Sequence, residues 1–465
     1  MTSFTTIAMA HMARQGAMSC QALDYFSLRV DREPVTTNGR HGSCVNVTLE
    51  AAVWLSRWMF STTLTRETAS GEDFWHKVDL SAATALADVG NALDHSPLGR
   101  QATLFHDPRW LTANAFVETR RLVAYVAWDA GEIVGLATFL LHASAVPLAL
   151  GELTLYAHRV ERLNALAAPI VESRGERARE VALLAGLLAR LREDLGPRQV
   201  IFLESVVEGS GLFELLSADA IQPRLFHALQ NGHLYPHRSA RIPESFDAYL
   251  AQLGSRSRAD LRANRKRFIA GAGKTYRTRC FRTPSEVREF VADACAVSCK
   301  TYQYKLLAAG LRDANGLERC YDMTAGLGWF RSYVLYVDDK PIAFQVGHVY
   351  GSCYFAQEIG YDPEWAPHHV GIFLHTEIIA DLAALKGTVT AFDFGNGDNL
   401  HKQRLSTDSA SEGYFYLIPA DFVGGVLACS IRAVGKVSSA LGAILGRFGL
   451  RRKARDLLRR LGFSR

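Results

Sequence analysis

The sequence has no CxxC pair and no Cys/His grouping with zinc-site spacing, although it contains eight cysteines. That excludes a zinc ribbon or a paired-thiol redox motif. Cys295 and Cys299 fall one helical turn apart, a spacing read as core packing. Scattered thiols in so long a chain fit a reducing cytoplasm. Nucleophile elbow, P-loop, Rossmann glycine fingerprint and HExxH helix are all missing, so hydrolase and kinase readings have no footing. The N-terminus lacks a basic start followed by a clean apolar core and a small-residue cleavage site, so no secretory leader is expected. The longest uncharged run, Ile133–Gly151, holds His142, Ser144 and Pro147. It is a poor membrane span and reads as two buried strands joined by a turn.

What remains is an ordinary globular composition. The 465 residues are 48% hydrophobic and 21% charged, enough for two or three domains with a large core. The net charge is +5, unevenly spread. Residues 256–282 carry ten Lys/Arg against Asp260, and residues 430–465 carry ten against Asp456. Each zone is +9, so with a total of +5 the remainder is −13. Such zones attract phosphate-bearing ligands, anionic lipid or nucleic acid, unless they are merely solvated helix faces.

Along the chain, residues 1–65 are irregular. Asp107-Pro108 signals a helix start. Leu122–Trp128 and Ile133–Leu141, separated by Asp129-Ala-Gly-Glu, read as a hairpin, and Leu148–Ala157 as a third strand. A helix over Arg177–Asp194 and a strand over Gln199–Ser205 follow. The second half repeats the order. Helices are expected over Ser245–Leu253, Ser257–Ala270 and Ser285–Gln303. Strands follow over Tyr333–Val337, Pro341–Val349 and Ser352–Tyr361, then a helix over Gly371–Leu385 capped by Lys386-Gly387. Strands over Thr390–Phe394 and Gly413–Ile418 complete it. A duplicated α/β unit is the expected fold, with boundaries at 1–65, 66–240, 241–420 and 421–465. The last segment, with Gly and Ser spacers before a basic amphipathic helix at Leu445–Leu461, reads as a surface for a membrane or a partner.

Three stretches carry the polar chemistry. They are Ser255-Arg-Ser-Arg-Ala-Asp-Leu-Arg, Lys300-Thr-Tyr-Gln, and Phe392-Asp-Phe-Gly-Asn-Gly-Asp leading to His401-Lys-Gln-Arg. Together with Tyr361-Asp-Pro, the run Gly371-Ile-Phe-Leu-His-Thr-Glu-Ile-Ile and Ala102-Thr-Leu-Phe-His-Asp-Pro-Arg-Trp-Leu, they resemble the CelD-type (cellulose biosynthesis) branch of the GNAT acyl-CoA N-acyltransferase superfamily. That branch is related to the FemAB transferases. The resemblance spans roughly residues 100–420. It implies an α/β (α+β) fold of tandem GNAT-like domains, each a mixed, mostly antiparallel sheet flanked by helices, with the basic helix appended.

It further implies direct attack of an amine on an activated acyl group, without a covalent enzyme intermediate. The acyl carrier would lie where two parallel strands splay, its pyrophosphate on a helix N-terminus. Here that start is Pro367-His-His-Val-Gly371, with His369, Val370, Gly371 and Ile372 nominated to hold the carrier. The superfamily's second Gly/Ala is absent from His368-His-Val-Gly-Ile-Phe, which leaves room for a carrier other than CoA. Glu358 is nominated as base, Lys402 as polarising cation and Tyr361 as proton donor to the departing thiolate. Lys300, Tyr302, Gln303, Asp393 and Arg404 are nominated for substrate binding. No metal and no tightly bound cofactor are expected; acyl-CoA or an acyl carrier protein serves as co-substrate.

The expected function is therefore N-acyl transfer to a small-molecule or sugar-linked amine, in cell-envelope or exopolysaccharide biosynthesis. An aminoacyl-tRNA-dependent transferase is the alternative, and the one in which nucleic acid is a partner. A non-catalytic membrane-surface scaffold is another. The expected location is cytoplasmic, with peripheral contact at the inner membrane face through residues 440–465.

Overall fold

The computed structural model describes residues 74–447, apart from 79, 81–82, 116–120, 151–152, 218–224, 274, 302–303 and 306–309. The expected irregular segment 1–65, Tyr302, Gln303 and nearly all of the basic stretch after Leu445 therefore lie outside the described residues. The chain divides into two units, Met1–Ser70 and Gly71–Arg465, and every described residue belongs to the second.

The first half runs β1 (Trp75–Val78), α1 (Ala83–Asp94), α2 (Pro108–Asn114), β2 (Arg121–Asp129), β3 (Glu132–Leu150), β4 (Leu153–Ala165), β5 (Ile170–Val171), α3 (Arg177–Asp194), β6 (Gln199–Val207), α4 (Gly211–Ser217), β7 (Phe226–Gln230) and β8 (Tyr235–Arg241). The second half runs α5 (Phe246–Gln252), α6 (Ser255–Ala272), β9 (Tyr276–Phe281), α7 (Pro284–Ser298), α8 (Ala314–Gly326), β10 (Ser332–Val337), β11 (Lys340–Tyr350) and β12 (Cys353–Tyr361). A 3₁₀ turn (Pro363–His368) then leads to α9 (Val370–Ala383), β13 (Ala391–Asp393), α10 (Leu400–Leu405), β14 (Asp408–Pro419) and α11 (Phe422–Arg447).

Local chemistry explains many of these boundaries. The Asp107 carboxylate accepts from Arg109 N at 2.9 Å, with Pro108 at the first helical position of α2, which satisfies one orphan donor and pre-sets φ. The two-residue loop Ala130-Gly131 has φ of 51° and 83°, the left-handed pair that matches strand twist in a tight hairpin. Thr283 and Glu286 form a reciprocal capping box at the start of α7. Lys386 and Gly387, at φ 48° and 86°, follow the end of α9.

The sheet order is β1-β2-β3-β4-β6-β14-β8-β13-β12-β11-β10-β9, with β5 on β3 and β7 on β14. The order is a palindrome. Reflection through its centre maps β1–β4 onto β9–β12, β6 onto β13, and β14 onto β8. Two pairs are parallel, β4 with β6 and β12 with β13, and each is bridged by one helix, α3 or α9. The duplicated unit is thus present in the topology itself. The halves also exchange strands: β8 pairs with β13 of the second half, and β14 pairs with β6 and β7 of the first. A cut at 240/241 falls at the end of an exchanged strand.

Core layers cover both faces of the second half. Tyr354, Ala356 and Phe392 pack in one cluster with Phe268 of α6 and Val370, Phe373 and Ile378 of α9. Phe344 and Val346 pack in another with Phe290 and Val297 of α7 and Tyr321 of α8. In the first half α3 and α4 cover one face.

Three expectations need correction. Ile133–Gly151 is not two strands and a turn: Glu132–Leu150 is one 19-residue strand. Beyond Leu141 it is paired only by β4, so Pro147, which lacks an N–H, leaves no ladder bond unmade on its open side. Residues 422–447 are not a spacer but a continuous helix, whose first turns pack on the sheet through Leu427, Ala428 and Ile431. The helix expected over Ser285–Gln303 ends at Ser298.

A bulge sets the geometry of β12. Val346 pairs with Glu358, yet Gly347 pairs with Ala356, so Gln357 is the extra residue. A Cβ on Gly347 would lie 2.0 Å from the hydroxyl oxygen of Tyr354, which is fully buried. Gly347→Ala therefore overpacks this point and lowers stability by about 1–3 kcal/mol. The check is the urea midpoint, with the slope unchanged.

Candidate functional site

β12 and β13 run parallel for only three residue pairs, Cys353–Ala391, Tyr354–Phe392 and Phe355–Asp393. Pairing stops just before the Gln357 bulge, and β12 continues to Tyr361 alone on that side. The two parallel strands therefore diverge from that point, as the GNAT resemblance implies. Their unpaired backbone edges open toward the start of α9.

The start of α9 is shaped by one residue. His369 has φ 54° and ψ 39°, a left-handed conformation that breaks the preceding 3₁₀ turn. Helical geometry begins at Val370 rather than at Pro367. The N–H groups of Ile372 and Phe373 both reach the His369 carbonyl at 3.1 Å, while those of Val370 and Gly371 meet no acceptor among the described residues. The first turn contains no acid. Burial lowers the His369 pKa, and the positive charges of Arg267 and Arg404 lower it further. Free N–H donors, a helix dipole and two nearby guanidinium groups together favour an anion. Tyr361 is 40% exposed, and its ring and Ile359 stand 3.6 and 3.7 Å from where a Cβ on Gly371 would be. The corresponding start of α3 differs. There Glu180 accepts from Gly211 N and pairs with Arg177, so a carboxylate already sits near the orphan donors.

Glu358 belongs to the opposite face of β12. Its register partner Val346 packs with α7 and α8, and its carboxylate lies beside Gly310 and Ser298. Burial raises its pKa above the ordinary value of 4.5, and no donor meets the carboxylate among the described residues. Lys402 is engaged differently. Its ammonium donates to the carbonyls of Gly395 at 2.9 Å and Asn396 at 2.6 Å, clamping the loop after β13. Burial lowers its pKa, opposed by Asp393 and Asp398. No described hydrogen bond joins the Glu358 and Lys402 groups.

The nominated binding residues are also partnered. Lys300 bonds Asp362 at 2.7 Å, which raises the lysine pKa. Arg404 pairs with Asp260 of α6 at 3.2 Å, bringing the arginine-rich helix against the α9 start. Asp393 accepts from His237 at 2.8 Å and from Gly395 N at 2.6 Å.

Sequence reasoning passed over a buried chain of Gln345, His375 and His401. Gln345 donates to the carbonyls of Val346 and Glu358, so its amide oxygen faces His375 Nε2 at 2.8 Å. His375 Nε2 must then carry the proton, leaving Nδ1 to accept from His401 Nε2 at 3.0 Å. Burial pushes His375 well below its ordinary pKa and His401 down to about 4, so both are neutral near pH 7. His401 Nδ1 has no partner among the described residues. The available signal was the position of His401 inside the run that ends Lys402-Gln-Arg404. A second feature passed over is His237, held between Asp393 and Glu412 at 2.8 and 3.1 Å.

A cavity of about 280 Å³ lies elsewhere on α9, lined by Thr278, Cys280, Tyr333, Glu377, Ala380 and Asp381. Its acids are already paired, Asp381 with Arg331 and Glu377 with Arg265. Among the described residues no group of His, Cys, Asp and Glu has the makings of a metal site.

Residues 255–403 match the family described as "Acetyltransferase (GNAT) domain". No curated protein matches the sequence. Among solved structures, FemX is similar at 12% identity and TM-score 0.49, covering 73% of this chain and 96% of its own. The C-terminal domain of a putative lysylphosphatidylglycerol synthetase from Agrobacterium fabrum is similar at 11% and 0.45, covering 76% and 97%. A tandem GNAT protein from the clavulanic acid biosynthesis pathway is similar at 11% and 0.41, covering 74% and 98%. The diverging parallel strands, the open helix start between them and the family match over residues 255–403 agree: these residues are a GNAT acetyltransferase domain, the second unit of a tandem fold, and the protein is an acyltransferase.

Proposed function

We propose that the protein transfers an acyl group from acyl-CoA, or from an acyl carrier protein, to a primary amine on a sugar-linked envelope precursor. The observation that carries this reading is the splay of β12 from β13 at the Gln357 bulge, with the anion-favouring start of α9 at its mouth; the unpaired Glu358 carboxylate follows the bulge on the other face of β12. Val370 and Gly371 N–H, with Arg267 and Arg404, hold the carrier's phosphates. The slot between the strands takes the extended carrier arm, and the β12 backbone aligns the thioester.

The amine nitrogen attacks the thioester carbonyl carbon. A C–N bond forms, the C–S bond breaks, and Glu358 accepts the proton lost by nitrogen. Tyr361 protonates the departing thiolate. Lys402 holds the loop that forms one wall, and so acts by positioning. The sugar-linked acceptor and the envelope pathway rest on the CelD-type resemblance.

The test is acyl-CoA-dependent thiol release with a panel of amine acceptors. Arg267→Glu is expected to raise KM for acyl-CoA about tenfold, with kcat nearly unchanged, since it removes uniform binding. Thiol release that is independent of every amine, or KM unaffected by Arg267→Glu, counts against the reading.

One observation favours a second donor. Arg256, Arg262, Lys266 and Arg267 are exposed along α6, a basic face suited to an aminoacyl-tRNA backbone. Binding of tRNA that weakens steeply with salt would support that donor.

A further inference from the structure

We propose that α11 docks the enzyme on an anionic lipid bilayer, lying in the plane of its surface. Phe422–Leu441 is the one described helix long and apolar enough to cross a membrane by length and composition, yet 17% of it is buried in the protein. The buried part is a single face. Leu427 and Ala428 pack with Val146, Val160, Tyr416 and Ile418, with Ile431 beside them, and Gly424 lies so close to the Pro419 carbonyl that a Cβ there would be 1.9 Å from its oxygen. A helix fixed along one side to β3 and β14 cannot cross a bilayer without uncovering that cluster.

The other side is apolar as well. Phe422, Val423, Val426, Val437 and Leu441 are exposed, Phe422 by 67% and Val437 by 56%. At 100° per residue these five fall within one outward stripe. Leu155 and Tyr156, on the β3–β4 ribbon against which the helix packs, are exposed too. Such a stripe on a soluble surface marks an interaction site.

Charge selects the occupant. Residues 422–447 contain no Asp or Glu. Arg432 and Lys436, one turn apart, run along one edge of the stripe, and Arg447 continues that edge. The eighteen residues that follow hold seven Lys/Arg against Asp456. Apolar residues flanked by cations with no acids match acyl chains beneath anionic headgroups. A protein partner would need acidic groups in the same geometry, and a second copy of α11 would bring cations against cations.

Vesicle flotation of the full chain tests this. The protein is expected to float with vesicles of phosphatidylcholine and phosphatidylglycerol, and not with phosphatidylcholine alone. Added salt should weaken the association, since it screens the cationic contribution. Val437→Asp with Leu441→Asp should cut binding on the order of tenfold or more, and Arg432→Glu with Lys436→Glu by a similar factor. These side chains are exposed, so far-UV circular dichroism and the thermal midpoint should match the parent. Four results would overturn the proposal. They are no flotation of the parent, equal flotation of the variants, resistance to carbonate extraction, and a dimer in solution that Val437→Asp dissolves. Acyl transfer to a soluble amine is read separately, so this outcome is independent of the catalytic reading.

Discussion

In the Glu358→Gln variant, kcat for acyl transfer falls about 100-fold or more, while the protein becomes slightly more stable at neutral pH. The first part follows from losing the proton acceptor in the transfer, since a positioned general base contributes on the order of 10² to 10⁴. Glutamine keeps the shape but cannot take a proton. The second part follows from burial. Glu358 has its pKa raised in the fold by desolvation, with no donor to compensate. A carboxylic acid with a raised folded pKa destabilises the fold as pH climbs through that pKa, because the unfolded chain ionises more readily. A neutral amide escapes this loss. The parent's kcat should also rise with pH through a value above 4.5, and that limb should vanish in the variant. Steady-state rates over a pH series, with urea midpoints at the same pH values, separate the two effects. An unchanged kcat would remove Glu358 from the mechanism, whatever happened to stability.

His237→Ala is expected to cost about 3–5 kcal/mol of stability, because it leaves two largely buried carboxylates without their cation. The imidazole sits on β8 and bonds Asp393 of β13 and Glu412 of β14. Its side chain is 16% exposed, and Glu412 is 9% exposed. Burial alone would lower its pKa, yet the two carboxylates outweigh that and push it up to about 10. The stabilisation is therefore complete below the ordinary histidine value of 6.5 and is lost as pH rises through about 10. Urea midpoints of the parent should fall between pH 7 and 10, and those of His237→Gln should stay flat over the same interval. A double-mutant cycle with Glu412→Gln measures the coupling directly. A parent midpoint that does not move with pH would show that His237 is neutral in the fold.

Much of the fold was readable because the relevant physics is local. The tight turn at Ala130-Gly131, the Asp107 cap and the Lys386-Gly387 stop each depend on neighbours within four residues, and each formed where the residue pattern placed it. The repeated order of helices and strands was readable for the same reason. The strands at Ser352–Tyr361 and Thr390–Phe394 were read from their residues, while their divergence was implied by the GNAT resemblance; the pairing of β12 and β13 stops after three residue pairs. The misreadings also have causes. Pro147 looked like a turn because proline usually ends a paired strand, but an unpaired edge tolerates it. Gly424 and Gly425 of α11 looked like spacers because nothing nearby in sequence reveals the cluster that the start of the helix approaches.

The candidate site divides along the same line. Residues on one stretch of chain, such as His369, Val370 and Gly371, or Lys402 and the loop it clamps, could be grouped from their order. The Gln345–His375–His401 chain draws on β11, α9 and α10. His237 meets an acid 156 positions away. Neither meeting leaves a mark in local spacing.

From its residues alone, this protein was set to be a duplicated α/β unit with a basic, apolar C-terminal segment; the slot between parallel strands was added by the GNAT resemblance. Hydrophobic period, caps and turns act over a few residues and leave little freedom there. The exchange of β8 and β14 between the halves, the bulge at Gln357 and the burial that perturbs Glu358, His237 and His375 were decided only in three dimensions. Strand partners far apart in the chain are chosen by the packing of both faces together, and desolvation exists only once those layers have closed.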